Sequence, residues 1–122
     1  MGNLIRRLAV PVLAIGLVLA PQVATAQEDQ AGAQVGIVEP AFRPVQEWNY
    51  DPGDLTVAVG TTVTWTNAGA VAHTVTADDG VSFDSGDLGP ENTFSFTPDT
   101  PGAFGYHCTY HPWMTGTLTA TP

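Results

Sequence analysis

The chain contains no lysine, and its three arginines stand against twelve Asp and Glu residues. Arg6 and Arg7 fall at the very start. From Gln27 onward Arg43 alone opposes all twelve acids, a net charge of −11. That balance excludes nucleic acid and anionic membrane surfaces as partners, because both are bound through basic patches. Cysteine is almost missing too. Cys108 is the one thiol, so no internal disulfide forms, and in an oxidising compartment a lone thiol is a liability unless something occupies it. A bound metal would do so; a buried, inert cysteine packing as a small hydrophobe is the alternative. After the initiator, methionine is also single, at Met114. Helical periodicity is absent from the body of the chain.

What is present begins with an export pattern. The Arg6-Arg7 pair precedes an uncharged apolar run from Leu8 to Ala20, too short for a comfortable membrane span of about 20 residues. Ala24-Thr25-Ala26 is a small-x-small cleavage signal. Residues 1–26 therefore read as a secretory signal peptide cut before Gln27, which places the protein in the periplasm or outside the cell. Retention of this segment as an anchor is the alternative, and the only route to a membrane. Paired arginines hint at twin-arginine export and also occur in ordinary signal peptides. Cleavage leaves 96 residues, one small domain just large enough to fold alone. Residues 27–34 are polar and Gly/Ala-rich and read as a flexible leader. Residues 35–122 read as a single domain.

In that domain short β-branched and aromatic runs alternate with Gly, Pro, Asp and Asn, which points to an all-β sandwich or barrel. Strands are expected near Val35–Val38, Val45–Tyr50, Leu55–Ala58, Thr62–Asn67, His73–Ala77, Thr93–Thr97, Gly102–Cys108 and Gly116–Ala120. In Thr62-Val63-Thr64-Trp65-Thr66-Asn67 the alternation turns Val63 and Trp65 to the core and the threonines outward. Asp51-Pro52-Gly53-Asp54 and Val59-Gly60-Thr61 read as turns. Residues 78–90 form an acidic, turn-rich segment anchored by Phe83 and Leu88. Trp48 and Trp65 read as core packing.

The chemistry concentrates in Tyr106-His107-Cys108-Thr109-Tyr110-His111-Pro112-Trp113-Met114. Cys108, His111 and Met114 surround one short turn after a strand, and Pro112 stiffens it. His73 follows the loop Ala68-Gly69-Ala70-Val71-Ala72. In a sandwich that loop can meet the Cys108 loop at one end, so a rigid sheet would hold donors from two separated segments. One thiolate, two imidazoles and one thioether make the ligand set of a blue-copper site, with three strong donors and a weak axial one. Zinc is a poorer match, because thioether is a poor zinc ligand. His107 is adjacent to Cys108 and should point to the opposite face of its strand, away from the other donors.

These segments resemble those of the cupredoxins of the plastocyanin and amicyanin type, including halocyanin-like proteins. Val63-Thr64-Trp65-Thr66-Asn67 followed by His73-Thr74-Val75 is similar to the family segment carrying the first copper histidine. Phe104 to Gly116 is similar to the segment carrying the other three ligands, and the two-residue gap between His111 and Met114 resembles amicyanin. The resemblance covers roughly Val45 to Ala120. It implies a Greek-key β-sandwich of about seven to eight strands. It implies one type 1 copper ion held by His73, Cys108, His111 and Met114. It places Asn67 as a tie between the His73 loop and the ligand loop, an ordinary strand-ending turn residue being the alternative. It makes the Thr74 backbone N–H the donor to the Cys108 sulfur. Plastocyanins often carry a tyrosine, discussed as a second electron port, where this chain has His107.

The function so implied is a small exported electron carrier, a monomer and not an enzyme, shuttling single electrons between larger redox proteins. A copper storage or delivery protein is the alternative, although such proteins usually expose several methionines or histidines. Partners are expected at the end formed by Ala68–Ala72 and Pro112-Trp113, an uncharged window around His111; an inward-folded Trp113 would remove part of it. The acidity reflects either solubility, including life in a salty medium, or steering toward a basic redox partner.

Overall fold

A computed structural model describes Gly16 and residues 32–122. The expected signal peptide and residues 27–31 of the leader lie outside that range, Gly16 apart. Among these residues eight strands form two four-stranded sheets. They are β1 (Ala33–Val38), β2 (Asn49–Asp51), β3 (Asp54–Ala58), β4 (Val63–Asn67), β5 (Thr76–Ala77), β6 (Thr93–Phe96), β7 (Gly102–His107) and β8 (Thr115–Thr121). One sheet runs β2-β1-β4-β6 and the other β3-β8-β7-β5. The pairs β1·β4 and β3·β8 are parallel and the rest antiparallel. Among the described residues no helix is long and apolar enough to cross a membrane.

The alternation in β4 works as expected. Val63, Trp65 and Asn67 point inward, while Thr64 faces out to bond Ser95 at 2.8 Å. Trp65 is the centre of the core, with the rings of Phe83, Phe94 and Tyr106 at 5.5–5.9 Å. In β8, Gly116, Leu118 and Ala120 turn inward. Gly116 lies directly beneath the Tyr106 ring, where any Cβ would collide with it. Phe83 and Leu88 are buried and anchor the acidic segment.

Three expectations are corrected. Residues 33–34, read as leader, already belong to β1, because the Ala33 N–H bonds Thr62 O at 3.0 Å and the pairing with β4 starts there. The strand expected over Val45–Tyr50 is split into a 3-10 turn, Val45–Glu47, and β2. Pro44, at φ −64°, opens that turn, and its carbonyl accepts from Glu47 N at 2.9 Å. The strand expected over His73–Ala77 shrinks to Thr76–Ala77. His73 makes an isolated bridge to Leu88, and Val75 pairs with Ser85 through both its N–H and its carbonyl. His73 and Val75 thus spend their backbone hydrogen bonds on the acidic segment, while the Thr74 carbonyl accepts from the Tyr50 hydroxyl at 2.5 Å, so none of the three extends the ladder with β7.

Candidate metal centre

The end of β7 and the two loops beside it bring the donors together. Cys108 follows β7 and is fully buried. After it the chain makes two tight steps, His111 N to Cys108 O at 3.3 Å and Met114 N to His111 O at 2.8 Å. The Cys108 N–H then closes the loop on Met114 O at 3.1 Å. This pins Met114, 1% exposed, to the backbone of both other residues. His73 is fully buried opposite them, fixed by its backbone pairing with Leu88.

The Cys108 sulfur lies 3.5 Å from His111 Nδ1 and 3.8 Å from His73 Nδ1. All three ligand atoms fall within 4.8 Å of one another. Donors bound to one ion at roughly 2.0–2.3 Å, about 120° apart, would stand about 3.5–4 Å from one another, which matches both sulfur–nitrogen distances. The Thr74 N–H points at the same sulfur from 3.4 Å, and the Thr74 hydroxyl accepts from Thr109 N at 2.9 Å. Sulfur, two imidazole nitrogens and a buried thioether-bearing residue are the soft and borderline donors that copper takes. His73, Cys108, His111 and Met114 are positioned to bind one copper ion.

His107 is held apart. Its Nδ1 bonds Asp78 Oδ1 at 2.6 Å and its ring is partly exposed. Asn67 is fully buried and makes three side-chain bonds. Its amide donates to Val71 O at 2.8 Å and Leu88 O at 2.9 Å, and its carbonyl oxygen accepts from Gly69 N at 2.8 Å. It ties the 68–72 loop to itself and to the acidic segment, where a tie to the Cys108 loop was expected.

Two residues at the site escaped the sequence reading. Glu39, just past β1, reaches under the 68–72 loop. Its Oε1 lies 2.7 Å from His73 Nε2 and accepts from Val71 N at 3.1 Å; its Oε2 accepts from Ala70 N at 2.9 Å. Burial pushes its carboxyl up, but the bonds from Ala70 N–H, the His73 ring and Val71 N–H, with the attraction of His73, hold it below the ordinary carboxylate value. Trp48, assigned to core packing alone, sets its ring edge-on to both His73 and His111, at 5.8 and 5.1 Å. Nothing in the local pattern flagged either residue. Each comes from a segment without ligands, brought in by the β1–β2 connection.

Trp113 does not fold inward. It is 43% exposed, and its indole N–H bonds Val45 O at 2.9 Å. The exposed surface around His111 therefore includes Val45, which the Trp113 indole bonds, as well as Val71 and Trp113. The acids are less remote than their sequence positions suggest. Glu39 lies under the loop, and Asp87 bonds the Tyr110 hydroxyl at 2.6 Å beside His111.

A two-sheet sandwich with a buried cysteine sulfur and two imidazoles at one end defines a small metal-binding β protein. The chain belongs to the cupredoxin family: a family model described as a cupredoxin-like domain matches residues 11–120. It is 38% identical to the amicyanin of Paracoccus denitrificans over 76 residues, 59% of this chain and 58% of that protein. It is 32% identical to amicyanin-alpha of Methylorubrum extorquens over 76 residues, 59% of this chain and 64% of that one. The chain thus spans less than two thirds of the length of either relative. Among solved structures it resembles a purple cupredoxin from Nitrosopumilus maritimus, with TM-score 0.65 and 32% identity over 73% of this chain and 99% of the other. It also resembles a reduced Cu(I) form of an amicyanin variant, with TM-score 0.64 and 30% identity over 75% and 83% of the two chains.

Proposed function

We propose that the protein is an exported single-electron carrier that holds one type 1 copper ion through His73, Cys108, His111 and Met114. The observation that carries this is the buried Cys108 sulfur, faced by two imidazole Nδ1 atoms at 3.5 and 3.8 Å and by the Thr74 amide at 3.4 Å. Bound copper would supply a reversible Cu(II)/Cu(I) couple. The protein's own part is to change little between the two states. Cys108 and Met114 are locked by the Cys108 N–H to Met114 O bond, and His73 by the Leu88 bridge. The thiolate is shielded from water and steadied by an amide, a contact of the kind that tunes redox potential. No substrate pocket or general base is needed, so the protein is not an enzyme.

Larger redox proteins are its donor and acceptor. They dock at the end formed by Ala68–Ala72 and Pro112-Trp113, where His111 is the site residue nearest solvent. The protein works as a monomer, with residues 1–26 serving export to the periplasm or beyond. The test is addition of Cu(II) to the metal-free domain, followed by visible spectroscopy and voltammetry. An intense thiolate-to-copper band and a reversible one-electron couple at one copper per chain are expected. A colourless or multi-copper complex would overturn the reading and favour storage, delivery or zinc.

A further inference from the structure

Building on the copper reading, we infer that Glu39 is a positioning residue for the copper site, which sets the tautomer and donor strength of His73 and is admitted by the missing side chain at Gly69. An ionised carboxylate is an acceptor only. With Oε1 at 2.7 Å from His73 Nε2, the ring proton sits on Nε2 and the Nδ1 lone pair is directed at the Cys108 side. The same carboxylate takes the N–H groups of Ala70 and Val71. One side chain from the end of β1 therefore fixes both the ring and the loop that carries it. The pair is almost sealed from solvent, with the His73 side chain 0% and the Glu39 side chain 12% exposed, so the contact is little screened.

Gly69 makes this possible. Its Cα faces the Glu39 carboxylate so closely that a Cβ would collide with Oε1, Cδ and Cγ. No positive φ requires glycine there; the space does. A carboxylate on the far nitrogen makes an imidazole a stronger donor, and its negative charge near the metal favours Cu(II) over Cu(I).

Two substitutions test the relationship by different means. Glu39→Gln removes the charge and sets an amide N–H2 group against the Ala70 N–H. Gly69→Ala keeps the carboxylate and displaces it. Because only the far end of a flexible side chain must move, Gly69→Ala keeps the fold even if Glu39→Gln does not. Both variants should bind Cu(II) about 10–100-fold more weakly. A loss tenfold greater for Cu(II) than for Cu(I) would raise the potential by about 59 mV, the one-electron equivalent of a factor of ten. A second readout needs no copper. In the metal-free protein near pH 7.5, the His73 ring nitrogens should report the Nε2–H tautomer by 15N NMR, and both variants should shift toward a mixture. If the two folded variants keep the wild-type His73 nitrogen shifts and the wild-type potential, the inference is overturned. A wild-type protein without a blue-copper couple would instead overturn the copper reading, and the metal-free NMR comparison would still decide the role of Glu39.

Discussion

Trp48 stands edge-on to His111, with ring centroids 5.1 Å apart and planes at 80°. Trp113 meets the same imidazole from its own loop at 5.3 Å. The most exposed member of the donor set is thus held between two indoles, which restricts its ring without burying it. In the electron-carrier reading proposed above, that position would make His111 the exit for an electron and the donor most open to protonation.

Acidification should therefore act on the copper-loaded, reduced protein through His111. A proton on its imidazole competes with its bond to Cu(I). Protonation stabilises the reduced form, so the potential should rise as pH falls. Voltammetry from pH 8 to about 4, well below the unperturbed histidine pKa, checks this; a flat profile would contradict it.

The metal-free protein should lose stability on acidification in two stages. Burial, and then repulsion from His73, lower the His111 pKa below its ordinary 6.5, with Glu39 opposing. The unfolded chain then takes up its proton at a higher pH than the folded one. The contribution is whole above 6.5 and is lost as pH falls through the lowered folded value. Glu39, held below its ordinary 4.5 by its hydrogen bonds in spite of burial, contributes fully above 4.5 and loses that contribution as pH falls further. Thermal unfolding against pH should show both declines, and Glu39→Gln should reduce the lower one, to which Asp79, its carboxyl also held down by bonds from Ser82 and Val81, adds.

Ligand removal separates the roles of neighbouring residues. Cys108→Ser should abolish the blue absorption, because that band needs the thiolate. Met114→Leu should keep copper and colour but raise the potential, since losing an axial donor disfavours Cu(II). His107→Ala should change neither, because its ring is bonded to Asp78. Bleaching by His107→Ala but not by His73→Ala would reverse the ligand assignment.

Much of this centre was legible in the sequence because its logic is local. The spacing of Cys108, His111 and Met114 fits one turn, and the alternation around Trp65 marks the strand that leads to the His73 loop. What escaped was non-local. Glu39 and Trp48 reach the histidines only because β1 pairs with β4 in parallel and β2 folds back on β1. No short-range pattern encodes that meeting. Strand ends were misread where side chains or proline outcompete the ladder. Ser85 captures the Val75 backbone, and Pro44 starts a turn inside an apparently extended run.

Gly116 ties the ligand loop to the core, so it offers a test of stability apart from chemistry. Its position beneath the Tyr106 ring leaves no room for a methyl group, and Tyr106 is 1% exposed amid aromatic neighbours. Gly116→Ala should destabilise the domain by about 1–3 kcal/mol through overpacking. Urea unfolding of the metal-free protein measures this. A wild-type midpoint would mean that Tyr106 moves freely.

Docking is the prediction with the widest reach. Val45, Val71 and Trp113 are exposed at the His111 end, and Trp113 is fixed to Val45 by its indole bond. Exposed apolar side chains grouped in this way would suit a contact site. Arg43 and Glu47 sit at its margin, 3.7 Å apart, and largely cancel. Glu39 under the 68–72 loop and Asp87 beside Tyr110 leave the rim of this end negative, while the exposed side chains of Val45, Val71 and Trp113 are uncharged. Redox encounters use small, short-lived interfaces, so one charge placed centrally should weigh heavily. Val71→Asp or Ala70→Lys should slow electron transfer to the physiological partner while leaving spectrum and potential intact. Stopped-flow transfer rates measured across a range of salt concentrations distinguish the faces. Unchanged rates in these variants, with slowing when charges of the 78–87 segment are altered, would move the docking face to the acidic side. The negative charge would then act as a steering field rather than as a frame around an apolar window.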